Sequence, residues 1–89
     1  MKSHTNVRFW KFYDSLSEDV QRIADKAYQL WLEDPYHPSL QFKCIDPQES
    51  IYSVRVGRKY RSLGCLEGDT IVWFWIGGHA EYDKRLKKR

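Results

Sequence analysis

No apolar run in the 89-residue chain approaches the roughly 18 residues that a helical membrane span needs, so a helical membrane protein is excluded. The opening MKSHTNVRFWK has neither a continuous apolar stretch nor a small-residue cleavage site, and no secretory leader is expected there. Cysteine is scarce. Cys44 and Cys65 are the only two, without Cys-x-x-Cys spacing, which excludes a disulfide framework and points to free, partly buried thiols in a reducing cytoplasm. Three scattered histidines (His4, His37, His79) give no metal-ligand spacing, so no metal and no small-molecule cofactor is expected. Glycine-rich phosphate loops, nucleophile elbows and paired catalytic acids at motif spacing are missing. Recognition-helix signatures of sequence-specific DNA readers are missing too.

What is abundant is aromatic: four Trp, six Tyr and four Phe, within a 42% hydrophobic and 30% charged composition. Large rings give a short chain enough apolar area to offset chain entropy, and the length fits one domain over residues 1–89. The net charge of +3 is unevenly spread. Residues 84–89 (KRLKKR) carry five of the fifteen basic groups, leaving ten basic against twelve acidic groups before them. Arg55, Arg58, Lys59 and Arg61 crowd into seven residues. The chain is therefore not a uniform polycation; it has one basic cluster and a basic tail, either of which can meet phosphate.

Phe9, Phe12, Tyr13 and Leu16 recur at i, i+3, i+4, i+7, the stripe of a helix starting near Asn6. Ser17 reads as the N-cap of a second helix, with Glu18 and Asp19 in its first turn. Its period continues through Trp31 to Glu33, and Asp34-Pro35 stops it. These two helices, about 6–33, are expected to form a hairpin. After the Pro35-to-Ser39 loop, where His37 reads as structural, the period drops to two. Four strands are expected over about 40–76, with turns at 47–50, Gly57-Arg58 and Glu67-to-Thr70. Residues 71–76 (IVWFWI) are apolar on both faces and read as an interior strand, and Gly77-Gly78 breaks it before a short C-terminal helix. The expected fold class is α+β: a helical hairpin on one face of a four-stranded antiparallel sheet.

Alternation places Lys43, Ser53 and Arg55 on the face away from Phe42, Val54 and Val56, with Arg61 on the neighbouring strand and His79 leaving the last one. Arginine offers a planar, permanently charged fork that matches phosphate oxygens, so Arg55 and Arg61 are candidates to hold a scissile phosphate. Lys43, Arg58 and Lys59 are candidate phosphate contacts along a nucleic-acid backbone. His79, presented by two glycines, can act as general acid or base, Tyr82 can stack or hydrogen-bond, and Glu81 or Asp83 can orient the ring. Blander readings stand beside these: a solubilising hairpin tip for Arg58 and Lys59, and a histidine cap on a surface helix for His79.

Three stretches carry a family resemblance: Asp34-Pro35-Tyr36-His37-Pro38-Ser39-Leu40; Tyr52-Ser53-Val54-Arg55-Val56-Gly57 with Tyr60-Arg61; and residues 73–83. In that order, after a helical hairpin, the chain resembles the RelE/ParE superfamily of type II toxin–antitoxin toxins. The resemblance implies a small antiparallel sheet against a helical hairpin, usually with an extra first strand for which this N-terminus looks short. It implies a cytoplasmic toxin neutralised by a cognate antitoxin. RelE-like members cut mRNA, often on the ribosome, without metal: a 2′-hydroxyl attacks the adjacent phosphate and translation stops. By position, Arg55 and Arg61 match basic strand residues of that group, and His79 and Tyr82 fall where such enzymes place an arginine or histidine and a tyrosine. Ser53 stands where a RelE-like enzyme can have lysine. ParE-like members instead inhibit DNA gyrase by binding. A non-toxic accessory protein that binds RNA through the same face is the third reading.

Overall fold

The Asn6 side chain accepts a hydrogen bond from the Phe9 N–H at 3.0 Å and so starts helix α1 (Val7–Asp14). Ser17 does the same for the Val20 N–H at 3.3 Å and starts α2 (Glu18–Glu33). Caps of this kind stabilise a helix by about 1 kcal/mol, and Glu18 and Asp19 sit where the helix dipole favours negative charge. The second helix ends at Asp34, immediately before Pro35, as its sequence requires. These details come from a computed structural model, which describes residues 1–87. Within those residues no helix is long and apolar enough to cross a membrane.

The sheet has five strands, not four: β1 (Lys2–Thr5), β2 (Lys43–Asp46), β3 (Ile51–Val56), β4 (Tyr60–Glu67) and β5 (Thr70–Gly78), in the order β1-β5-β4-β3-β2. The short Lys2–Thr5 segment lies parallel to β5 at the sheet edge, while the other neighbours are antiparallel. It is held through its backbone: Lys2 N–H donates to the Asp69 carbonyl at 2.9 Å, and Asn6 N–H just beyond it donates to the Trp73 carbonyl at 3.0 Å. With no apolar alternation in KSHT, hydrophobic patterning could not reveal it. The second strand also starts later than the expected residue 40. Pro38–Leu40 form a 3₁₀ turn, and Gln41 turns left-handed at φ 46°. His37 accepts from the Ser39 N–H at 3.1 Å on Nδ1, with the Ser39 hydroxyl 2.8 Å from the same nitrogen. That histidine builds the turn, in keeping with its structural reading.

Tyr52, Val54 and Val56 face the helical hairpin and meet Trp31, Phe42, Ile71 and Trp73 in the main core. Trp31, only 1% exposed, stands nearly perpendicular to Phe42 (centroids 5.7 Å) and to Trp73 (5.4 Å). Each edge-to-face pair contributes about 0.5–1.5 kcal/mol beyond its area burial. Gly57 opens the β3–β4 turn at φ 62°, and a Cβ there would lie 2.9 Å from Ile23 Cγ2. Close approach of turn and helix thus depends on glycine.

The opposite sheet face is not the open surface that alternation suggested. Ile51, Leu63, Trp75 and Tyr82 bury a second core there, with Leu86, Phe12, Ile45 and Phe74 packed against it. Its cover is α3 (His79–Lys87), whose Tyr82 and Leu86 lie at i, i+4 inside a charged segment. Ser53 is consequently buried instead of lining a cation-rich face. The basic tail changes character for the same reason. Arg85 places its guanidinium carbon 4.8 Å from the Trp75 ring centroid and 5.2 Å from that of Phe12. Burial lowers its pKa from the ordinary arginine value, and Arg8 lowers it further. Lys88 and Arg89 lie outside the described residues.

Both cysteines are free, but only one is sheltered. Cys44 is exposed on the edge strand, whereas half-buried Cys65 donates its thiol to the Glu49 carbonyl at 3.4 Å. Burial pushes the Cys65 thiol up, and Glu67 and Glu49 push it in the same direction. At pH 8, iodoacetamide is therefore expected to modify Cys44 about tenfold faster or more, because the thiolate is the reactive form. Cys65 becomes reactive only as the pH rises. Peptide mapping over a time course measures both rates.

Candidate functional site

Arg55 on β3 pairs with Arg61 on β4, and Arg61 pairs with Gly77 on β5. Directly opposed residues project to the same face, so the three make one row across the sheet. Gly77 keeps the end of that row low. A Cβ there would come within 2.5 Å of Trp75 Cζ2, so the absent side chain lets the indole lie across it. Gly78 then leads into α3, and the His79 N–H donates to the Lys59 carbonyl at 2.7 Å. That bond ties the first residue of the helix to the β3–β4 turn.

Arg61, His79 and Tyr82 come together here. The Arg61 guanidinium carbon lies 6.0 Å from the Tyr82 ring centroid, while Nη1 donates to the Tyr60 carbonyl at 2.8 Å. The His79 imidazole stacks on the same phenol ring, with centroids 6.0 Å apart and planes at 25°. Asp83, one helical turn on, brings Oδ2 to 3.4 Å from His79 Nε2, both side chains being about half exposed. Of the two carboxylates considered from sequence, Asp83 is the one that faces the ring; Glu81 lies 3.8 Å from Lys84. With Asp83 at Nε2, Nδ1 is the second nitrogen through which the ring can exchange a proton.

Tyr82 is only 6% exposed and serves as the surface on which the other two rest. Arg55 shares the row but takes a different direction. Its Nε donates to the Gly57 carbonyl at 3.1 Å, and it borders a groove near the β3–β4 turn with Lys26 and Arg58 over apolar Ile23, Leu30 and Leu40. Arg58 and Lys59 are exposed in that turn, and Lys43 is exposed on the edge strand opposite Ser53. One strong convergence (Arg61 with His79 and Tyr82) is thus flanked by cations spread along the hairpin end. Lys26 was missed from sequence. Its signal was a cation set among the apolar Ile23, Ala27 and Leu30 positions of α2. Among the described residues, no group of three or more His, Cys, Asp and Glu side chains is placed to hold a metal ion.

The family model that matches the chain is the ParE-like toxin domain, over residues 18–84. The chain belongs to this family. It is a toxin-type member of the RelE/ParE superfamily, as the resemblance of its sequence implied. No curated protein matches it in sequence. Solved structures agree on the fold at low identity. A chain of the RelB–RelE antitoxin–toxin complex of Methanococcus jannaschii gives a TM-score of 0.71 at 17% identity, covering 91% of this chain and 95% of that one. YafQ of E. coli gives 0.71 at 9% identity, covering 91% and 96%. The isolated E. coli RelE toxin gives 0.64 at 16% identity, covering 98% and 96%.

Proposed function

We propose that this toxin is an RNA endonuclease that inhibits translation by cutting mRNA, on the ribosome or free, with its own side chains as the catalytic groups. The observation that carries the reading is the pairing of a guanidinium and an imidazole from different elements on one buried phenol ring. In the proposed reaction the 2′-hydroxyl attacks the adjacent phosphorus, and the bond to the 5′-oxygen of the next nucleotide breaks. The products are a 2′,3′-cyclic phosphate and a 5′-hydroxyl. His79 moves the proton, taking it from the 2′-hydroxyl or delivering it to the leaving oxygen, with Asp83 holding the ring in position. Arg61 meets the extra negative charge of the pentacoordinate phosphorus, and Arg55, its Nε held by the Gly57 carbonyl, meets a neighbouring backbone phosphate from the next strand. Tyr82 positions Arg61 and His79. Lys43, Arg58 and Lys59 hold the RNA backbone through charge, a contribution that weakens as salt rises.

An antitoxin is the proposed protein partner; antitoxin–toxin complexes among the structural relatives support it. The proposed setting is the cytoplasm. A second reading follows from the ParE-like family match and from Ser53, a buried serine on β3 at the position where the resemblance allows a lysine. In that reading the chain inhibits DNA gyrase by binding. The two are separated by incubating wild type, His79→Ala and Arg61→Ala with ribosome-bound mRNA and, in parallel, with gyrase and relaxed plasmid. RNA scission by wild type alone supports the nuclease. Loss of supercoiling without scission, equal for all three proteins, replaces it with the gyrase reading.

A further inference from the structure

A cleft of about 410 Å³ opens between β1, α1 and α2, over the sheet face turned away from Tyr82. Its volume is within the usual range for small-molecule sites, about 300–1,000 Å³. Six lining residues are aromatic: Phe9, Trp10, Tyr13, Tyr28, Trp31 and Trp73. Trp10 and Tyr28, 47% and 38% exposed, keep large rings in solvent. The two indoles deeper in the fold, Trp31 and Trp73, have side-chain nitrogens that are sealed from solvent and without a hydrogen-bond partner. What they offer the cleft is therefore ring carbon.

Four of the polar side chains around the cleft pair with one another. The Ser3 hydroxyl meets the Tyr28 hydroxyl, and Trp10 Nε1 donates to Thr5 Oγ1 at 3.0 Å. The cleft's one carboxylate is Asp25, and its one basic side chain is His4, which is uncharged above neutral pH. Asp25 accepts the Tyr13 hydroxyl at 2.9 Å, and no lysine or arginine lines the cleft. Aromatic faces carry a negative quadrupole that attracts organic cations, and a carboxylate adds to that attraction while repelling anions.

We propose that this cleft binds a small organic cation with an apolar body, an alkyl- or arylammonium, its hydrocarbon part against the aromatic wall and its charge near Asp25. The site lies across the sheet from the His79 group and does not rest on the nuclease reading. Its test uses the full chain and three probes of similar size: benzyltrimethylammonium, neutral benzyl alcohol and anionic 3-phenylpropionate. Binding is read by calorimetry and by tryptophan fluorescence, since three of the four tryptophans line the cleft. The cation is expected to bind saturably, about tenfold tighter than the alcohol, with no binding of the anion. Asp25→Asn, at an exposed position, is expected to weaken the cation several-fold and leave the alcohol unchanged; circular dichroism verifies its fold. Tyr28→Ala is expected to weaken the cation as well. Absence of saturable cation binding, equal affinity for all three probes, or an Asp25→Asn protein that binds the cation like wild type overturns the proposal.

Discussion

Arg61→Ala is expected to lower the rate of RNA cleavage by about 10²–10³-fold, the usual loss when one pre-positioned donor to a developing oxyanion is removed. The fold should survive the change, because Arg61 is half-buried and its side-chain hydrogen bond goes to the adjacent Tyr60 carbonyl, not to a distant element. Arg61→Lys restores the charge but not the planar fork that meets two phosphate oxygens and packs over Tyr82. Its rate should therefore fall between those of alanine and wild type. Single-turnover cleavage of a defined RNA, at protein in excess, measures all three. A lysine variant as fast as wild type would show that charge alone suffices, and an alanine variant within threefold would remove Arg61 from the chemistry.

Trp75→Ala is expected to cost about 3–5 kcal/mol of stability, as for other large-to-small changes in a core. Trp75 is 2% exposed and is a meeting point of the second core: Phe12 packs edge-on at 6.2 Å, Arg85 lies over its ring, and Gly77 makes room for it. A loss of that size is a large fraction of the roughly 5–15 kcal/mol that stabilises a typical domain. Urea unfolding followed by circular dichroism gives the number. The same substitution should loosen α3 and with it His79, so hydrogen exchange in residues 79–87 should rise more than in α2. A change below 1 kcal/mol would mean that the second core contributes little.

Local signals were the legible ones. Ser17 with Glu18 and Asp19, and Asp34 before Pro35, fix both ends of α2 through interactions within a few residues, and the structure keeps both ends. Residues 71–76, apolar throughout, did become an interior strand, flanked by β1 and β4. Edge strand β1 was hidden because its hold on the sheet is made by backbone groups, which every sequence possesses. The covered second face was hidden because one aromatic and one leucine, Tyr82 and Leu86, suffice to dock a helix that is otherwise charged. Burial of Ser53 follows from that cover and could not be read from alternation alone.

The candidate site shows the same division. Gly77-Gly78 did not break the strand as expected: both are its last residues, paired with Arg61 and Tyr60, and His79 follows them as the first residue of α3. That Arg61 and His79 would share the Tyr82 ring depends on β-ladder register and on the docking of α3, neither of which is written in any short segment. Arg55 illustrates the limit of register itself: it opposes Arg61 across the ladder, yet its Nε is drawn to the Gly57 carbonyl.

The most direct test of the nuclease proposal is the chemistry of the cut ends. RNA cleaved by the wild-type protein in the presence of a chelator should carry a 2′,3′-cyclic phosphate on one fragment and a 5′-hydroxyl on the other, and His79→Ala should yield neither. Fragments bearing a 5′-phosphate, or cyclic-phosphate ends formed equally well without His79, would contradict it.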